Sequence, residues 1–225
     1  IRWLWLYVKA EQVRLSIAQM IGPKSLPDAE EQLSRLASAT LQAAFQRMDP
    51  QQSMAVIGLG KLGGEELSLG SDLDLMILTE HSSPVEQIPE LRKILKLLSW
   101  SHETFPLYEV DLRLRPHGND GPLLVTMDSL RSYYLGAQKN AQSWEILMLT
   151  RSRWIYGSES LRGQFAAFRD SVLYQNPPQQ ADIEEIWRIR TRLEHEKFQG
   201  SPPELAYKTG PGGLIDVEFI AQILS

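Results

Sequence analysis

Gly58-Leu59-Gly60-Lys61-Leu62-Gly63-Gly64-Glu65-Glu66-Leu67, followed shortly by Ser71-Asp72-Leu73-Asp74, is the stretch that decides how this chain folds. Before it stands Met54-Ala55-Val56-Ile57, a short apolar run with the character of a buried strand. After it, Asp72 to Leu78 reads as a second strand. Side chains at i and i+2 of a strand share one face, so Asp72 and Asp74 point the same way. Two carboxylates on one rigid face suit a hard divalent cation such as Mg²⁺. The glycines let backbone N–H groups approach a phosphate, and a short helix expected near Leu62 aims its positive end there. Lys61 adds a point charge. Gly60, Lys61, Gly63, Gly64 and Ser71 are therefore candidate nucleotide-binding positions.

Two better-known phosphate loops do not fit. Gly58-x-Gly60-x-x-Gly63 matches the dinucleotide fingerprint and follows a strand. That motif needs a crossover of about 10–12 residues or more before the next strand. Only residues 64–71 separate Gly63 from Asp72. Its acidic residue belongs about 20 residues further on, whereas here the carboxylates come early and as a pair. A Walker A loop requires Ser or Thr after Gly-Lys, and Leu62 stands there.

Residues 107–114 alternate, with Tyr108, Val110, Leu112 and Leu114 to one side and Glu109, Asp111 and Arg113 to the other. If this strand pairs beside 72–78, Asp111 joins Asp72 and Asp74. Three carboxylates can hold two metal ions. Each element has a plainer reading: Asp-x-Asp on a strand is commonly a solvated pair, and Asp111 alone is an ordinary surface residue. The Gly-rich turn beside the pair is what favours the metal. Arg113 and Arg115 either bind phosphate or pair with acids. His81, His102, His117 and His195 have no metal-ligand spacing. The six Trp residues fall on expected helices and read as core.

Residues 1–21 and the stretch after the capping signal Ser25-x-x-Asp28, with Pro27 in its first turn, read as two helices. Gly22-Pro23 breaks the first. Its apolar run Trp3-Leu4-Trp5-Leu6-Tyr7-Val8 reads as a core-facing helix rather than a signal peptide. Residues 87–101 form a further helix, and 123–125 suit a short strand. Helices are expected at 128–137, 141–156, 159–174 and 181–198, punctuated by Pro177-Pro178 and Ser201-Pro202-Pro203. Gly210-Pro211-Gly212-Gly213 precedes a last apolar segment. The expected fold is α+β, a small sheet flanked by helices with a helical C-terminal region. The expected units are 1–50, 51–126 and 127–225.

The chain has 225 residues, 43% of them hydrophobic and 23% charged, ordinary for a globular protein. The absence of cysteine excludes disulfides and thiolate chemistry and suits a reducing compartment. A net charge of −5 argues against broad nucleic-acid binding. No run reaches the roughly 18–20 apolar residues that span a bilayer, so no membrane association is expected. Opening on Ile1 and closing at Ser225 inside a helical pattern, the chain reads as a piece of a longer protein.

Leu59-Gly60-Lys61 with Asp72-Leu73-Asp74-Leu75 resembles the signature of the polymerase-β-like nucleotidyltransferases. Longer strings are more specific: Gly60-Lys61-Leu62-Gly63-Gly64-x-Glu66-Leu67, Tyr108-Glu109-Val110-Asp111-Leu112-Arg113-Leu114-Arg115-Pro116, Trp144-Glu145 ahead of Arg151-x-Arg153, and Lys208 with residues 212–219. Together, over about residues 53–222, they resemble the glutamine synthetase adenylyltransferase and adenylyl-removing family.

The resemblance implies a cytoplasmic enzyme of nitrogen metabolism, with the polymerase-β-like sheet. Asp72, Asp74 and Asp111 match the family's catalytic, metal-binding carboxylates, and Gly60 and Lys61 its nucleotide-phosphate loop. It implies two Mg²⁺ ions, ATP as substrate, glutamine synthetase as partner, and a PII signal protein acting on the full-length enzyme. Family members carry two nucleotidyltransferase units; one adenylylates a tyrosine of glutamine synthetase, the other removes AMP by phosphorolysis and releases ADP. The removing unit tends to carry Arg where this chain has Ile215, next to Asp216, and Arg190 and Glu194 are four apart rather than three. Together with Arg153-x-x-Tyr156-Gly157, these features favour transfer. The alternatives are the removing unit, a PII uridylyltransferase-like enzyme, and a nucleotide-binding module without catalysis.

Overall fold

The computed structural model describes residues 1–22, 26–102, 105–137, 140–175, 179–197, 208 and 210–224. Pro23, Ser25, Pro177-Pro178 and Ser201-Pro202-Pro203 lie outside the described residues. Two helices, α1 (Arg2–Ile21) and α2 (Leu26–Met48), lead into strand β1 (Met54–Gly58). The short helix α3 (Gly60–Gly63) follows, then β2 (Leu73–Thr79) and α4 (Ile88–Leu98). Next come β3 (Ser101–His102), β4 (Phe105–Pro106), β5 (Val110–Asp111), β6 (Leu124–Thr126) and α5 (Met127–Leu135). The rest comprises α6 (Ser143–Thr150), β7 (Arg153–Tyr156), α7 (Glu159–Tyr174), α8 (Gln180–Lys197) and α9 (Leu214–Leu224).

The fold is α+β, built on a mixed sheet in the order β5-β2-β1-β7. β1 runs antiparallel to β2 and β7, while β5 and β6 both pair parallel with β2, at its beginning and its end. β1 is buried along its whole length, which is why it reads as a continuous apolar run. Its alternate residues serve two cores. Met54 and Val56 pack with Leu41 and Phe45 of α2. Ala55 and Ile57 pack with Leu130 of α5 and Phe165 of α7.

Four expectations change. The stretch 141–156 is not one helix: α6 stops at Thr150, and residues 153–156 form β7 beside β1. Trp154, Ile155 and Tyr156 are aromatic and β-branched, residues that fit a pleated surface. The strand expected over 107–114 is ladder-paired only at Val110 and Asp111. Upstream, the amides of Leu107 and Tyr108 bond to the carbonyls of Trp100 and Leu98. Downstream, the Arg113 amide turns back onto the Asp111 side chain at 2.8 Å. Finally, the run at residues 3–8 buries only Val8 completely; Trp3 and Tyr7 are exposed. Trp187 is exposed too, so the tryptophans are not uniformly core.

Candidate active site

Asp74 and Asp111 face one another because β2 and β5 run parallel in the register Leu73↔Val110, Asp74↔Asp111. Asp72 lies just before β2, two residues from Asp74. One carboxylate oxygen from each of Asp72, Asp74 and Asp111 lies within 4.8 Å of the others. The sequence thus brings all three predicted carboxylates to one point. Asp72 and Asp111 line a shallow cleft of about 480 Å³, whose walls also include Arg113 and Arg115.

The electrostatics of the three differ. Burial, followed by repulsion from Asp72 and Asp111, pushes the Asp74 carboxyl up to about 6. Asp111 shifts the other way, chiefly because Arg113 hydrogen-bonds it. The Arg113 guanidinium forks onto both Asp111 oxygens, with its Nε 2.8 Å from Oδ2. Its side chain is 69% exposed against 12% for Asp111, so the arginine end is free to swing into solvent. Arg113 and Lys61 are the cations that partly offset the repulsion on Asp74. An all-oxygen cluster whose central member is driven toward protonation is short of positive charge. The donor set fits a divalent cation of the Mg²⁺ kind, which would supply that charge.

The Gly-rich loop closes over Asp74. The Leu59 amide donates to the Asp74 carbonyl at 2.9 Å. Gly60 adopts φ +52, and a Cβ there would collide with Oδ2 of Asp74. A side chain at residue 60 would therefore displace the carboxylate. Lys61 extends its Nζ to the Ser68 hydroxyl at 2.9 Å, and Ser71 also turns toward Ser68.

Gly63 and Gly64 are packed within the turn. Their amides donate within the turn, to the carbonyls of Leu59 and Gly60 at 2.9 and 3.0 Å. A Cβ on Gly63 would run into the Arg151 carbonyl, and one on Gly64 would crowd Glu66. These glycines let the segment after α6 press against the loop. Arg115 also turns inward. It is 6% exposed and donates to the carbonyls of Leu112, Asn119 and Gly121. These backbone bonds brace the turn after β5.

The family model described as glutamate-ammonia ligase adenylyltransferase matches residues 4–168, most of the chain. The chain belongs to that family. Among curated members, it is 34% identical over 96% of its length to the bifunctional glutamine synthetase adenylyltransferase/adenylyl-removing enzyme of Mycolicibacterium smegmatis. It is 32% identical, again over 96%, to the protein of the same name from Idiomarina loihiensis. The matched segments are 23% and 25% of those proteins, so the chain spans about a quarter of the adenylyltransferase relatives.

Outside the carboxylates, Arg190 organises the end of the chain. It is 3% exposed, forks onto Asp216, pairs with Glu194 at 2.9 Å and donates to the Gly210 carbonyl at 2.9 Å. The four-residue spacing of Arg190 and Glu194 is one helical turn, so the two side chains meet on α8. The sequence pattern does not link Arg190 to Asp216. The link crosses from α8 to α9, and no local pattern encodes it. Among the described residues, no helix is long and apolar enough to cross a membrane.

Proposed function

We propose that this chain is a nucleotidyltransferase unit that transfers AMP from ATP to a tyrosine of glutamine synthetase. The observation that carries the reading is the convergence of Asp72, Asp74 and Asp111 beneath the Gly60–Lys61 turn. The names of the curated relatives support the substrate. Ile215, where the removing unit is expected to carry arginine, supports transfer over phosphorolysis. A regulatory PII protein acting on the full-length enzyme belongs to the same reading, as does the division into 1–50, 51–126 and 127–225, with β7 returning to the central sheet.

Asp72, Asp74 and Asp111 would hold the Mg²⁺ ions, which when bound neutralise triphosphate charge and acidify the attacking hydroxyl. Lys61 and the backbone at Gly60 steady the β- and γ-phosphates, with Lys61 turning from Ser68 to do so. Asp111 receives the tyrosine proton once Arg113 has swung away. Arg113, exposed at the mouth, is then placed to meet phosphate oxygen. Attack of the tyrosine oxygen on the α-phosphorus forms one P–O bond and breaks the bond to pyrophosphate. Positioning and charge complementarity carry most of the rate.

The test is transfer of label from α-labelled ATP to glutamine synthetase. Label is expected with Mg²⁺ and absent with chelator or with Asp74→Asn. Undiminished transfer by Asp74→Asn would remove Asp74 from the site.

A further inference from the structure

The side chain that holds the nucleotide loop from behind belongs to β7, far along the sequence. β7 pairs with β1 in the register Val56↔Tyr156, but beyond it Ile57 faces Trp154 and Gly58 faces Arg153. One extra residue, Ile155, is accommodated on β7. A regular ladder would have set Trp154 opposite Gly58. Such a bulge re-aims the side chains beyond it. Here it sends Arg153 to the α2 face of the sheet, beneath α3.

The Arg153 guanidinium, three-quarters buried, donates through Nη2 to the carbonyl of Leu62 and to the hydroxyl of Ser38, each at 2.9 Å. Its Nη1 lies 3.6 Å from Glu65. Leu62 sits in the last turn of α3, where its carbonyl otherwise accepts a long bond from the Glu65 amide, at 3.4 Å. A cation there also meets the negative end of the short helix. Arg153 thus joins α2 to the turn carrying Gly60 and Lys61, whose other side touches Asp74. Next to it, the Arg151 carbonyl abuts Gly63, and its side chain pairs with Glu66. The C-terminal end of α3 is gripped by Arg153 of β7 and by Arg151 just before that strand.

We propose that Arg153 is a positioning residue for nucleotide binding: it fixes α3 so that Gly60 and Lys61 are preset for the phosphates, without itself touching them. This rests on the nucleotidyltransferase reading above. A loop that must be ordered at binding costs affinity, and one held in place beforehand does not.

Hydrogen exchange read by mass spectrometry tests this in the full-length protein, with and without Mg²⁺ and the non-hydrolysable ATP analogue AMPCPP. In the wild type, the peptide covering 58–67 should become protected as analogue is added. In Arg153→Gln that peptide should exchange faster without nucleotide. Its half-protection should need about tenfold more analogue, equivalent to about 1.4 kcal/mol. Arg153→Lys, which keeps the charge but not the fork, should fall between. Peptides from α5 and α7 should be unchanged, which shows that both variants are folded. Half-protection at the wild-type concentration in Arg153→Gln would overturn the proposal and leave the nucleotidyltransferase reading standing. Faster exchange spread evenly over α5 and α7 would also overturn it, because Arg153 would then serve global stability. No protection by nucleotide in the wild type would overturn both.

Discussion

Asp74 and Asp111 sit directly opposite one another on parallel strands, yet their carboxyls are driven in opposite directions. Burial and two neighbouring anions raise Asp74 to about 6, while Arg113 holds Asp111 low. Paired groups whose environments push their proton affinities apart are a mark of acid–base sites, and here they lie where the family's metal carboxylates are expected.

The raised carboxyl makes the site a stability cost. The folded value for Asp74 lies above its usual 3.8, so the folded state binds more protons between about pH 4 and pH 6. Stability tied to Asp74 is full below about 4 and is lost as pH rises through about 6. That rise is equivalent to at most about 3 kcal/mol, reduced to about 1–2 by partial exposure. Asp74→Asn should therefore melt higher than wild type at pH 7.5 in chelator, with the difference shrinking toward pH 4.5. Thermal melts at both pH values check this; a variant less stable at pH 7.5 would contradict it.

Gly60→Ala should lower stability by about 1–2 kcal/mol, since an L-residue at positive φ is strained, and should impair metal and nucleotide binding by pushing on Asp74. Urea denaturation and calorimetric Mg²⁺-ATP titration check the two effects. Wild-type binding in a variant of normal stability would show that residue 60 does not crowd the carboxylate.

Arg115→Gln is expected to cost about 2 kcal/mol, because it strips charge-assisted bonds from partly buried carbonyls in the 112–121 turn. The apparent KM for ATP should change less than twofold in the folded fraction. Unaltered stability with lost ATP affinity would return Arg115 to the phosphate-ligand role.

Acid should loosen the end of the chain. Arg190, then the backbone amides of the Gly212–Gly213 turn, hold Asp216 below the usual carboxylate range. The stability from Asp216 is thus present above its unfolded value and is lost as pH falls through the lower folded one. Asp216→Asn should remove that acid dependence, and amide exchange in α9 should rise at neutral pH. Exchange in α9 that matches wild type would separate Asp216 from the docking of that helix.

What the sequence made legible was local. The apolar run of β1 and the i, i+2 spacing of Asp72 and Asp74 needed no knowledge of the rest of the chain. The place of Asp111 needed one guess about pairing, which the parallel register meets. β7 was hidden because four residues between helical patterns become a strand only through β1, about a hundred residues earlier. The bulge that turns Arg153 toward α3 is a property of that pairing. Likewise, Gly63 looks like a phosphate-loop glycine in sequence, but its neighbour is the carbonyl of Arg151.

The most direct test of the account supplies the purified chain with Mg²⁺ and each substrate set in turn. With ATP and unmodified glutamine synthetase, the account predicts pyrophosphate release matched by AMP on a tyrosine, both lost in Asp74→Asn. ADP formed from inorganic phosphate and adenylylated glutamine synthetase, with no pyrophosphate from the first set, would contradict it.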